Sequence, residues 1–309
     1  MGRHNRYCVS GALNHCYQRT KDGIVLFYSV SDYLVFFTLL CILASRYDVQ
    51  VLALAIMPDH LHESVIARSR YELWRFMQTL LSKFAKEHNV TCHRKGALFK
   101  SPFGSAPKTT DKKVRTNLAY VANNPVERHL ARFAEDYRWT FLAYAKSDNP
   151  FSKPISMKRA SKELKKALAV VDSYYAEGKH LKYHVLQIMF ARLNNDESQQ
   201  LTDYIISKYS VIDYQAAIDY YGCYEKMLMA FHSNTGNEYD IKESFNGKRD
   251  DVYQKMTSIL MGTGRFKDIH DVLGLKAEEK IDIFNYLNGK TEATPSQIAN
   301  FLQMEIRFI

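Results

Sequence analysis

Cysteine is scarce in this chain and shows no sign of pairing. The five cysteines, Cys8, Cys16, Cys41, Cys92 and Cys223, are an odd number, widely spaced, with no CxxC among them. That usage excludes a disulfide framework of the secreted kind and fits small core residues in a reducing cytoplasm. Long apolar runs are also missing. The greasiest stretch, Tyr33–Ala44, is interrupted by Thr38 and falls far short of the roughly 20 residues that span a bilayer. It reads as a buried helix of a soluble protein with no membrane partner. The first residues do not combine a charged start with an apolar run and a small-residue cleavage site, the pattern of a secretory signal, so a cytoplasmic location is expected. There is no internal repeat and no low-complexity tract. With 46% hydrophobic and 24% charged residues, the chain has enough apolar surface to bury a core, which excludes a largely disordered protein.

What the chain does have is an uneven charge. Residues 1–150 carry 21 Lys+Arg against 12 Asp+Glu, whereas residues 151–309 carry 21 of each, so the whole net charge of +9 sits in the first half. A basic half joined to a neutral half implies that a polyanion meets only the first. An ordinary basic surface would give the same balance.

The first half alternates strand and helix patterns. Ala12–Arg19 reads as a strand, Lys21-Asp22-Gly23 as a hairpin turn, and Ile24–Tyr28 as the returning strand. Ser31 is placed to cap a helix running to Arg46 or Tyr47. Val49–Met57, aliphatic except for Gln50, reads as a central strand; Pro58-Asp59 turns the chain and His60–Ala67 pairs with it. Ser69-Arg70-Tyr71-Glu72 has capping-box form and precedes an amphipathic helix through Leu73, Phe76, Met77, Leu80, Leu81 and Phe84. A loop with Gly96, Pro102, Gly104 and Pro107 leads to a helix over about Asp111–Asn123, stopped by Pro125, and Trp139–Tyr144 reads as a last strand. The expected fold class is α+β, an antiparallel sheet with helices packed on it. Asp148-Asn149-Pro150 to Pro154 is the expected boundary, dividing residues 1–150 from an α-helical region, 155–309.

Chemistry concentrates in two places. In a strand, His60 and His62 face the same way, and two adjacent imidazoles can ligate one divalent cation; the alternative is a pair of surface histidines on an edge strand. On the helix before Pro125, Lys113, Asn117, Tyr120 and Asn124 fall at i, i+4, i+7 and i+11, on one face. An amide oxygen at Asn124 is an acceptable hard ligand for magnesium or manganese, and a tyrosine oxygen at Tyr120 can act as a nucleophile. Tyr120 can equally be a half-buried aromatic.

Taken in order, Asn14-His15-Cys16-Tyr17-Gln18-Arg19, Ala55-Ile56-Met57-Pro58-Asp59-His60-Leu61-His62, Gly96-Ala97-Leu98-Phe99, Tyr120-Val121-Ala122-Asn123-Asn124-Pro125-Val126 and Tyr137-Arg138-Trp139-Thr140 resemble the single-tyrosine HUH transposases, and most closely the REP-associated tyrosine transposases. The resemblance covers about residues 8–145. It implies a ferredoxin-like HUH domain in which His60, His62 and Asn124 hold a magnesium or manganese ion and Tyr120 is the nucleophile. The implied reaction cleaves single-stranded DNA carrying a hairpin, through a 5′-phosphotyrosine link, and rejoins it without ATP. The implied protein is a cytoplasmic, nucleoid-associated monomer or homodimer. Candidates for holding the strand are Arg94, Lys95 and Lys100 in the loop and Lys108, Lys112, Lys113 and Arg115 before the tyrosine, with Phe99 and Phe103 as stacking aromatics. The chain departs from the pattern in having Glu63 after the second histidine, where an aliphatic residue is usual, and in its long C-terminal region. Rival readings are a DNA-binding regulator that keeps the fold without turnover, and a relaxase-like nickase. In the C-terminal region Thr294-Pro295-Ser296-Gln297 combines an N-cap, a first-turn proline and a capping-box glutamine. Residues of about 270–309 could thus form a helix-turn-helix-like end or a helical packing unit.

Overall fold

The structure is a computed structural model and describes residues 7–233 and 249–304. Four strands, β1 (Leu13–Arg19), β2 (Val49–Ile56), β3 (His60–Ala67) and β4 (Gly104–Lys108), form one antiparallel sheet in the order β2-β3-β1-β4. Helices α1 (Val30–Arg46) and α2 (Arg70–Thr91) cover one face, where Leu61 and Val65 of β3 join Phe36, Phe76 and Phe84 in the main core. Helix α3 (Asp111–Glu127) covers the other face, and there the Ser64 hydroxyl donates to Asn117 Oδ1 at 2.8 Å. The remainder is helical: α4 (Lys162–Ala176), α5 (Tyr183–Phe190), α6 (Asn195–Tyr209), α7 (Tyr214–Asp219), α8 (Tyr224–Ser233), α9 (Asp251–Gly262), α10 (Ala277–Asn288) and α11 (Pro295–Leu302). The fold class is therefore α+β, with a helical C-terminal part. No helix among the described residues is long and apolar enough to cross a membrane.

Several local expectations change. Lys21–Gly23 is a 3-10 turn, and Ile24–Tyr28 is buried but is not a strand: its N–H groups serve Pro58 O (from Leu26 and Phe27) and Asn300 O (from Val25), not β1. Instead β1 pairs with β3 and with β4, a strand hidden in what reads as a loop. Helix α1 begins two residues early, capped by Ser29, with Asp32 at the third helical position completing the capping box. β2 lies at the sheet edge, not its centre. Its apolar character survives there because Asp213 N–H donates to Val51 O at 2.8 Å and residue 212 bridges Val51, so the edge is covered. Helix α3 runs through Pro125 to Glu127, since a proline in the last turn removes a single hydrogen bond and Arg128 N–H still closes on Asn124 O at 3.2 Å. Trp139–Tyr144 forms two 3-10 turns about Phe141, whose φ of 62° breaks any strand. Two separate helices, α7 and α8, follow α6.

The main core does not stop at residue 150. Leu164, Leu168, Val171, Leu186, Leu201, Ile205 and Ile206 pack into the same cluster as α1 and the sheet. A second cluster unites α9, α10 and α11 with Val25 and Tyr28. Helix α11 has the expected Thr294–Gln297 capping box, but Ile298, Ala299, Phe301 and Leu302 are buried, and the Tyr28 hydroxyl donates to Phe301 O at 2.6 Å. It is a packing element here; residues 305–309 of that end lie outside the described residues.

Candidate active site

Strand alternation and helix spacing bring four of the singled-out side chains to one point between β3 and α3. His60 and His62 leave β3 on the face that α3 covers, and α3 answers with Asn117, Tyr120 and Asn124 along one stripe. His60 Nε2 donates to Asn124 Oδ1 at 3.1 Å, and Asn124 Nδ2 donates to His62 Nε2 at 3.3 Å. One amide thus touches the outward nitrogen of each imidazole. The Tyr120 ring stands edge-on to His62, with centroids 5.2 Å apart.

Three further residues complete the arrangement. His15 on β1 contacts His62 through its Nε2, 3.0 Å from His62 Nδ1, and its ring is 5.5 Å from Tyr120. Asp59 Oδ1 accepts from His60 Nδ1 at 2.5 Å. Each histidine therefore has its inner nitrogen held by a neighbour and its Nε2 turned to Asn124, the way metal-binding imidazoles are usually oriented. Arg128, in the turn after α3, is near enough to both histidines to disfavour their cationic forms. His15 falls within the motif-bearing first strand and Asp59 immediately precedes His60, so both were visible in the sequence as neighbours. Their roles depend on the strand register and could not be read there.

The electrostatics separate the two histidines. Burial, with His60 and His15 beside it, holds His62 well below the usual imidazole range, so it is neutral, and its Nε2 lone pair accepts from Asn124 Nδ2. Burial also pulls His60 down, but the Asp59 carboxylate outweighs it and raises the net value. All of His15, His60, His62, Tyr120 and Asn124 are at most 5% exposed. Two imidazole nitrogens and an amide oxygen, with oriented rings, fit a small divalent cation that accepts nitrogen and oxygen donors.

The proposed strand-holding residues scatter. Lys95, Lys100, Lys112, Lys113 and Arg115 are exposed and Lys108 is half-buried at the end of β4. Arg94 is spent inside the protein: its guanidinium donates to Gln303 Oε1 at 2.6 Å, Asn89 Oδ1 at 3.2 Å and Ala97 O at 3.3 Å. Phe103 is buried in the main core, so its ring is not presented to a base, and Phe99 is half-buried against that core. Tyr17, 36% exposed and 5.7 Å from the His15 ring, is an aromatic beside the site that sequence reasoning passed over. Glu63 points away from His62 into the α1–α2 core, as strand alternation requires.

No protein-family model matches the sequence, and no curated protein matches it. Among solved structures, the chain is similar to a REP-associated tyrosine transposase bound to a REP hairpin. That likeness has 15% identity and a TM-score of 0.38, and covers 45% of this chain and 81% of that one.

Proposed function

We propose that this protein cleaves and rejoins single-stranded DNA, with Tyr120 as the nucleophile and His60, His62 and Asn124 as ligands of a magnesium or manganese ion. The observation that carries the reading is the convergence of both Nε2 atoms on the Asn124 amide, 3.1 and 3.3 Å away, with Tyr120 against His62. When bound, the ion would supply charge withdrawal at the scissile phosphate and orient it for in-line attack. The chain's own residues do the rest. Asp59 and His15 fix the two imidazoles, and Arg128 offers a cation to the phosphate. Tyr120 Oη loses its proton as it bonds to phosphorus, the bond to the 3′ oxygen breaks, and that oxygen takes up a proton to leave as a 3′-hydroxyl. The resulting 5′-phosphotyrosine ester keeps the energy of the broken bond, so reversal by a 3′-hydroxyl needs no ATP. The motif set in residues 8–145 supports a hairpin-bearing strand as substrate, and the class is transposase-like. The residues assigned to the chemistry all lie within 1–150, and helices α4, α5 and α6 beyond them share its core.

Because the site is buried, a strand reaches Tyr120 only after local opening. Asp250 N–H donates to Arg128 O at 2.9 Å, so the segment before α9 packs against the end of α3. The same burial favours a second reading, a DNA-binding regulator that keeps the site closed and never turns over. Incubation with a hairpin substrate and manganese separates the two. The expected outcome is a DNA adduct that survives denaturing gels, maps to Tyr120, and is absent in Tyr120→Phe. His60→Ala should lose cleavage while strand binding largely persists. An adduct on another tyrosine would overturn the assignment, cleavage without any adduct would make water the nucleophile, and binding without cleavage would favour the regulator.

A further inference from the structure

About the far end of α2, away from the histidine pair of β3, three metal-binding side chains meet that the strand-transfer reading does not use. His88 and Cys92 sit at i and i+4 at the C-terminal end of α2, one above the other, with His88 Nε2 3.7 Å from Cys92 Sγ. His270 arrives from a 3-10 stretch, Ile269–Gly274, in the C-terminal part, its ring 6.1 Å from that of His88. One donor atom from each of the three lies within 4.8 Å of the others, and all three residues are buried. The geometry points to a second metal site, structural and thiolate-binding, in which His88, Cys92 and His270 hold a zinc ion together with the Asp32 carboxylate.

The two donors on α2 stand at the separation of a tetrahedral cage, and the His270 donor lies within 4.8 Å of both. Zinc bonded to nitrogen at about 2.0 Å and sulfur at about 2.3 Å sets those two donors about 3.6 Å apart, close to the His88–Cys92 separation. Asp32 Oδ1 lies 2.9 Å from His270 Nε2, and an ion between them would open this to about 3.3 Å, a small movement. The donor set is soft enough for zinc, unlike the nitrogen and oxygen set of His60, His62 and Asn124. Charge also closes. Zinc would displace the Cys92 thiol proton and the His270 Nε2 proton that now faces Asp32, and the resulting thiolate and carboxylate neutralise a dication, which a buried site requires. Outer partners are in place: Asp268 Oδ1 is 2.6 Å from His270 Nδ1, and Asp32 is fixed by the Tyr183 hydroxyl at 2.7 Å and by the N–H of Ser29 at 2.8 Å. A cleft of about 1000 Å³ lined by Cys92, Tyr183, Asp268 and His270 gives an entry path.

Such a site would tie the end of α2 and the start of α1 to the segment before α10, clamping the C-terminal part onto the sheet-bearing part. It stands independently of whether Tyr120 is a nucleophile. The test uses the full chain, loaded with zinc chloride or cobalt chloride and then dialysed. One zinc per chain should be retained by the wild type and by His60→Ala, and lost by Cys92→Ser and by His270→Gln. The cobalt form should show a thiolate-to-cobalt charge-transfer band in the near ultraviolet that Cys92→Ser removes. Because Cys92→Ser could unfold, a wild-type measurement runs beside it. Zinc should slow alkylation of Cys92, located by peptide mapping, at least tenfold. A cobalt form without that band, or Cys92 alkylated equally fast with and without zinc, would overturn the site.

Discussion

Glu63 is the residue whose chemistry is most at odds with its place. It sits on β3 one residue after His62 but on the opposite face, fully buried, and neither carboxylate oxygen has a hydrogen-bond partner. Burial alone pushes its pKa up to about 8 from 4.5, so the folded protein keeps it protonated at neutral pH. The sign follows from linkage. The folded state holds this proton more tightly than the unfolded chain, so the contribution to stability is complete below about pH 4.5 and is lost as pH rises towards about 8. Each unit of that rise is worth about 1.4 kcal/mol. Denaturant unfolding across this range should show stability falling with pH in the wild type, and Glu63→Gln should flatten the fall. An identical slope in the two proteins would mean that Glu63 is already neutral in the unfolded chain or ionised in the folded one.

At the scale of elements, α3 matters most, because it carries both the nucleophile candidate and a cationic start. Its inward stripe was legible: the spacing of Asn117, Tyr120 and Asn124 placed them on one face, and that face meets β3 through Ser64, His62 and His60. The alternation of His60 and His62 was legible for the same reason, that both periodicities are local. What could not be read was non-local. β4 is Gly-Ser-Ala-Pro-Lys, poor strand formers held in place by pairing with β1, and the bare Gly104 leaves room for the Tyr17 ring opposite, which a Cβ would push aside. Ile24–Tyr28 has the composition of a strand, yet its partners are Pro58 and Asn300, the latter near the far end of the sequence. His15 acquires a role only through the β1–β3 register. In the first turns of α3, Lys112, Lys113 and Arg115 are exposed. If they follow a single strand's phosphates, each releases counterions worth about 0.7 in the slope of log K against log salt. Replacing all three by glutamine should lower that slope by about 2 in anisotropy titrations with single-stranded DNA, while Tyr120 remains able to form its adduct at low salt. An unchanged slope would move the strand path elsewhere.

At the scale of the whole molecule, the division by charge and the division by packing do not coincide. All the net charge lies in residues 1–150, which also hold His60, His62, Tyr120 and Asn124. Packing runs across that boundary. Helices α4, α5 and α6 complete the cluster begun by α1 and the sheet, residue 212 covers the edge of β2, and Tyr144 donates to Asp203 at 2.6 Å. Helix α3 itself is held from beyond the boundary, by Asn123 Nδ2 donating to Phe231 O at 2.8 Å and by Asp250 on Arg128. A chain ending near residue 150 would therefore leave the far side of α1 exposed, with Leu40 and Phe37 among the buried side chains of that cluster. Uncovering several such side chains costs about 1.5–3 kcal/mol each, against a total stability of about 5–15 kcal/mol for an ordinary domain. The expected outcome is that residues 1–150 made alone are insoluble or unfold without a cooperative transition, although they contain every residue assigned to the chemistry. The check is calorimetry and amide exchange on that fragment beside the full chain. A soluble fragment with a sharp transition, still forming the Tyr120 adduct, would show that the helical part is an accessory; a fragment that fails while the full chain reacts would make it the scaffold on which the site depends.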